Sequence, residues 1–128
     1  MGNAVGTYPV NGFKLYFHPE VTPSPYEEPT FDPNLGFAGK RKPRVMVATE
    51  EEMRSAKLAL EDRDYCAHVL LKFRKCRRDN FPFVVKCEHE KHAYLNCQND
   101  DFLLRAKEYE RERRLRVRAV AEQKAQEV

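Results

Sequence analysis

Residues 66–97 read CAHVLLKFRKCRRDNFPFVVKCEHEKHAYLNC. Nine residues separate Cys66 from Cys76, and nine separate Cys87 from Cys97. Ten steps along an α-helix rise about 15 Å and turn about 1000°, so the two sulfurs of each pair project within roughly 80° of one another. Cys66, Val69, Leu70, Phe73 and Cys76 then share one face of a first helix, and Phe83, Cys87, Tyr94 and Cys97 one face of a second. Glu90 and Lys91 interrupt the second face, so the seam is narrow.

Four cysteines allow three pairings. Cys66 with Cys76 fails within a helix, because a disulfide needs Cα atoms within about 7 Å. Cys66–Cys87 with Cys76–Cys97 requires parallel helices. A loop of about four residues around Asp79 to Pro82 spans at most about 13 Å, too little to climb back along the first helix. The antiparallel hairpin remains, with Cys66–Cys97 outside and Cys76–Cys87 inside. Each bridge would stabilise it by roughly 3 kcal/mol through loop closure, less for the second because the loops are nested.

Other chemistry for these residues fits poorly. Structural zinc sites present knuckles with about two to four residues between ligands, and gaps of nine make none. Cys87, His89 and His92 are close in sequence but have no matching half-site. Cys66 and His68 are two residues apart and point to different sides of a helix, so they make no nucleophile–base pair. Adjacent cysteines that would form a soft-metal copper site are absent. The expectation is a chain without catalytic residues, metal or cofactor.

Upstream, residues 1–48 hold seven of the eight prolines, which largely excludes regular structure. The same stretch holds half of the aromatic residues, a composition foreign to flexible linkers. It reads as an extended arm that docks its rings on a partner. Thr49 followed by Glu52 is a capping box that opens a short helix expected to run to about residue 60. A second helix is expected from Asp64 to Arg78. Asp79 or Asn80 caps a third, with Pro82 in its first turn and Phe81 or Phe83 packed on the hairpin tip. Downstream, the stretch from Glu108 to Arg118 alternates acids and bases at spacings that support a helix, either solvated or a polar strut. The expected architecture is all-α: an arm at 1–48, a short helix at 49–61, a disulfide-stapled hairpin at 62–100 and a charged helical extension at 101–128.

With 128 residues, 34% of them charged, the chain has room for one domain and little apolar core. A net charge of +3 is too weak to argue nucleic-acid binding, and the glutamates among Arg111 to Arg118 dilute any phosphate-binding stripe. No apolar run approaches the ~20 residues of a membrane span. Neither a secretory signal nor an Arg-rich cleavable presequence is expected at the N-terminus.

The doubled Cx9C spacing resembles the coiled-coil-helix-coiled-coil-helix family of the mitochondrial intermembrane space. Further blocks narrow the resemblance: residues 29–37 (PTFDPNLGF), 41–53 (RKPRVMVATEEEM), 63–68 (RDYCAH), 76–83 (CRRDNFPF), 87–97 (CEHEKHAYLNC) and 107–115 (KEYERERRL). Together they resemble the accessory subunit 7 family of the beta subcomplex of respiratory complex I. The resemblance implies a non-catalytic subunit, peripheral on the inner membrane at its intermembrane-space side, with other membrane-arm subunits as partners. It also implies import by a dedicated oxidoreductase that docks a cysteine beside an apolar residue. Phe73 with Cys76 and Tyr94 with Cys97 both qualify. The family further suggests an N-terminal myristoyl group on Gly2, although this chain has Gly6 where the usual pattern has Ser or Thr. The competing reading is a twin Cx9C assembly factor or redox-active protein that acts transiently.

Overall fold

A computed structural model of the chain describes residues 12–24 and 26–128. The α-helices are α1 (Gly12–Phe17), α2 (Glu50–Ser55), α3 (Ala67–Asp79) and α4 (Glu88–Gln126), with 3-10 turns at Leu60–Asp62 and Val84–Cys87. No strand occurs among the described residues. The chain divides into two compact units. One spans residues 44–103; the other combines the described residues before 44 with residues 104–128. No helix among the described residues is long and apolar enough to cross a membrane.

The first unit is built around a small apolar cluster of Ala48, Met53, Leu58, Ala67 and Leu70, with Leu71, Phe73 and Tyr94 packed against it. The capping box forms as the sequence requires: the Thr49 hydroxyl accepts from the Glu52 amide at 3.2 Å, and the Glu52 carboxylate accepts from the Thr49 amide at 2.9 Å. α2 then stops at Ser55, short of the expected residue 60. The cause is Lys57, which adopts a left-handed φ of 53°. That turn directs Leu58 into the cluster, where only 2% of it is exposed. A lysine at a position that favours glycine leaves no mark in the sequence.

α3 also starts later than expected, at Ala67, because Asp64 turns its carboxylate onto the Cys66 amide at 2.9 Å and holds that residue outside the helix. At the other end, the Asn80 side-chain amide donates to the Cys76 carbonyl at 2.9 Å. Asn80 therefore closes α3 rather than capping the next helix. Pro82 accordingly lies before the 3-10 turn and not in the first turn of α4, which corrects the expectation. Phe81 and Phe83 do not pack on the tip either: they are 78% and 65% exposed.

In the second unit, α1 shows that the proline-rich arm is not wholly irregular. Past it, Gly36 at φ +84° supports a turn closed by the Leu35 and Phe37 amides donating to the Asp32 and Asn34 carbonyls, each at 3.0 Å. Among the described residues of this unit, Thr22, Pro23 and Glu112 are buried. The α4 segment in this unit carries i,i+4 ion pairs: Glu110–Arg114 at 3.0 Å, Glu112–Arg116 at 3.1 Å and Arg118–Glu122 at 2.9 Å.

Candidate functional site

The hairpin closes with the nested pairing. Cys66 bonds Cys97 and Cys76 bonds Cys87, and both pairs have a Cα–Cα distance of 5.9 Å. Equal spacing on antiparallel elements brings the two bridges to matching heights. Two of the cysteines lie just outside the α-helices: Cys66 precedes α3, and Cys87 ends the 3-10 turn before α4. These two are 1% exposed, whereas Cys76 and Cys97 are half-buried. All four cysteines are consumed in disulfides.

Between the bridges, the Phe73 and Tyr94 rings stack with centroids 6.4 Å apart. The expected docking residues are thus brought together across the seam. Burial, reinforced by the Asp64 and Asp62 carboxylates, pushes the Tyr94 phenol above its ordinary range. Gln98 ties the outer end: its side-chain amide donates to the Tyr94 hydroxyl at 3.0 Å and to Asp64 at 3.2 Å. Asp64 in turn holds the Cys66 amide, so one polar chain links the outer bridge to the ring pair. At the inner end the Asn80 amide lies 3.4 Å from the Cys76 sulfur and 4.0 Å from that of Cys87. Sequence reasoning gave no bonding role to Asp64 or Gln98 and assigned Asn80 to the wrong helix, though Asp and Asn habitually bond nearby backbone.

Cys76, Cys87 and Glu90 bring their ligand-type atoms within 4.8 Å of one another. Metal binding requires thiolates, and these two sulfurs are bonded to each other. The His92 ring lies 3.1 Å from Glu88. His68 and His89 line a groove of 630 Å³ along the hairpin, together with Val69, Lys72, Cys76 and Ala93. No nucleophilic thiol faces this groove.

The N-terminal side of unit 1 adds one more anchor. The Arg44 guanidinium lies 3.8 Å over the Tyr65 ring and 2.7 Å from buried Asp101. In the second unit, the arm is fastened to α4 by polar groups. Arg111 donates to the Asp32 and Leu35 carbonyls at 2.9 and 3.0 Å and lies over the Phe37 ring. Arg41 pairs with Glu108, a hydrogen bond that raises the pKa of the guanidinium. Buried Glu112 accepts from the Thr30 amide at 3.1 Å and from Arg116 at 3.1 Å. Of the arm's described rings, Phe13, Tyr16, Phe17, Tyr26 and Phe37 are exposed and Phe31 is half-buried. Gly2 lies outside the described residues.

Comparison with known proteins follows the hairpin. Residues 47–109 match the family model described as NADH-ubiquinone oxidoreductase B18 subunit. The matched segment holds both bridges and the apolar cluster. The chain is similar to NADH dehydrogenase [ubiquinone] 1 beta subcomplex subunit 7 of Bos taurus, 53% identical over 95 residues, covering 74% of this chain and 69% of that protein. The Mus musculus protein of the same name shows the same identity and coverage. That of Caenorhabditis elegans is 49% identical over 98 residues, covering 76% of this chain and 80% of its own length.

Proposed function

The chain belongs to the NADH-ubiquinone oxidoreductase B18 subunit family, and from that premise we propose that it is a non-catalytic accessory subunit of mitochondrial respiratory complex I. It sits peripherally on the inner membrane, on the intermembrane-space face of the membrane arm, and supports assembly and stability of the complex. The observation that carries this reading is the nested disulfide hairpin lying within the segment shared with the family. Disulfides persist in oxidising compartments, which favours the intermembrane-space side over the reducing matrix. All four cysteines are bonded, which supports a structural role for them.

Four functional segments follow: the arm at 1–48 and the charged extension at 101–128 contact other membrane-arm subunits, while the short helix at 49–61 braces the hairpin at 62–100. The oxidative import machinery docks transiently at Phe73 and Cys76 or at Tyr94 and Cys97. In the folded hairpin these rings stack on each other and the sulfurs are spent. Docking therefore precedes folding, and closing the bridges ends it. A myristoyl group on Gly2 would add only marginal membrane affinity, so subunit contacts remain the principal anchor.

Blue-native electrophoresis of mitochondrial membranes with immunodetection tests the reading. Comigration with complex I is expected. A free small species, with none in the complex, would instead favour the transient assembly factor or redox-active protein.

A further inference from the structure

Among the described residues, the loop between the helices of the hairpin is the longest contiguous exposed apolar stretch. Phe81, Phe83, Val84 and Val85 are 78, 65, 45 and 78% exposed, with exposed Pro82 among them. Such a cluster on an otherwise polar protein marks an interaction site. Cations flank it on both sides: Lys75, Arg77 and Arg78 in the last turns of α3, and Lys86 just beyond, with its ammonium 5.6 Å from the Phe83 ring. Residues 74–87 carry five basic side chains and one acid, a net +4, whereas the whole chain carries +3. The apolar loop therefore lies within one of three locally basic segments, the others being residues 40–44 and 111–118, each also net +4. The Cys76–Cys87 bridge holds the two ends of this loop at a Cα–Cα distance of 5.9 Å, so little ordering is needed on binding.

We propose that this tip is an interfacial membrane-binding loop, which seats Phe81, Phe83, Val84 and Val85 at the headgroup–acyl boundary of an anionic lipid surface while the flanking cations meet the headgroups. The layering argues for a membrane. Apolar side chains at the end of a hairpin with cations behind them on either side match a plane whose charge lies outside and whose hydrocarbon lies within. An acidic protein surface would satisfy the cations but would need a separate apolar pocket for two rings and two valines. The choice of a membrane over a protein rests on the reading of the chain as a peripheral inner-membrane subunit; the charge and exposure of the tip do not.

The test uses the full-length, oxidised, unacylated chain and flotation with vesicles of neutral phosphatidylcholine or of phosphatidylcholine mixed with anionic phosphatidylglycerol. The chain should partition onto the anionic vesicles more strongly, and less so as salt rises. Arg78→Gln with Lys86→Gln should weaken that partitioning by about fivefold per removed cation. Phe81→Ser with Phe83→Ser should weaken it on the order of 100-fold, scaling with the apolar area withdrawn. Circular dichroism and non-reducing peptide mapping check that the hairpin is intact, and the charge variant stands alone should the ring variant misfold. Equal binding to both vesicle types, or binding that neither variant changes, overturns the proposal. It is also overturned if vesicles do not bind the chain but tip variants no longer comigrate with complex I, since a protein then covers the tip. Failure of the unaltered chain to comigrate with complex I would be a separate result, against the subunit reading and not against the tip.

Discussion

The hairpin unit and the arm-on-helix unit meet the same shortage of apolar residues with different bonds. Around the hairpin, five small or medium apolar side chains are buried, and two covalent bridges do what a larger core would otherwise do. In the other unit, the arm is held to α4 by guanidinium-to-carbonyl hydrogen bonds and by glutamates that accept from the arm and from neighbouring arginines. The first kind of bond constrains the unfolded chain and ignores salt. The second acts only in the folded state and is screened by salt, least where it is buried, as at Glu112. Redox state should therefore govern the hairpin, and ionic conditions the arm.

The largest effect should come from the outer bridge, which closes 31 residues against 11 for the inner one. Cys66→Ser with Cys97→Ser is expected to cost about 3 kcal/mol, and Cys76→Ser with Cys87→Ser less, because loop-closure entropy grows with loop length. Urea denaturation without reductant, followed by circular dichroism, reads both. An inner-bridge loss larger than the outer would mean that native packing around Asn80, not loop closure, dominates.

A smaller and local effect is expected from Arg111→Ala. It removes two hydrogen bonds to arm carbonyls and a cation above Phe37, worth about 1 kcal/mol after allowing for solvent screening. Amide exchange over residues 32–37 should quicken while that of α3 stays as it was. Equal acceleration in both would show that the two units unfold together, and the contrast between them would fail.

The same contrast explains what the sequence discloses. The bridge pairing is legible because helical periodicity, the length limit on the tip loop and disulfide geometry leave one arrangement. The capping box at Thr49 and Glu52 is legible because side chain and spacing define it. Three boundaries were not. Lys57 adopts a left-handed conformation without being glycine, Asp64 delays α3, and Asn80 bonds backwards to Cys76 where it was expected to cap forwards. Asp64 and Asn80 can each bond nearby backbone in more than one way, and a left-handed lysine has no sequence signature. The arm's attachment to α4 was hidden for a different reason. Arg111 bonds carbonyl oxygens 76 and 79 residues away, and a backbone acceptor has no residue type to read. From sequence, the charged run of α4 was equally a solvated face or a strut. The exposed rings of Phe81 and Phe83 ran against expectation because a hydrophobic residue beside a hairpin is ordinarily assigned to its core.

The smallest effect is electrostatic and local to Glu110 in the middle of α4. Arg113 donates to the Glu110 carboxylate at 2.9 and 2.7 Å, and Arg114 at 3.0 Å. These bonds, Arg113 first, lower the Glu110 pKa from 4.5 to about 2. Because the folded value lies below the unfolded one, the pairing contributes stability above about pH 4.5 and loses it as the pH falls towards about 2. The side chain is 40% exposed, so solvent screens the pair and the contribution is small. Disulfides do not titrate, so both bridges stay closed through this window while the middle of α4 loses the bonds at Glu110. Carboxyl-detected NMR titration should place the Glu110 midpoint near 2 in the native chain, and Arg113→Gln with Arg114→Gln should return it towards 4.5. A native midpoint already near 4.5 would mean that these arginines do not hold Glu110 in solution. The polar bonds of α4 would then be weaker than the structure draws them, and the unit they support would depend on contacts with other subunits for its order.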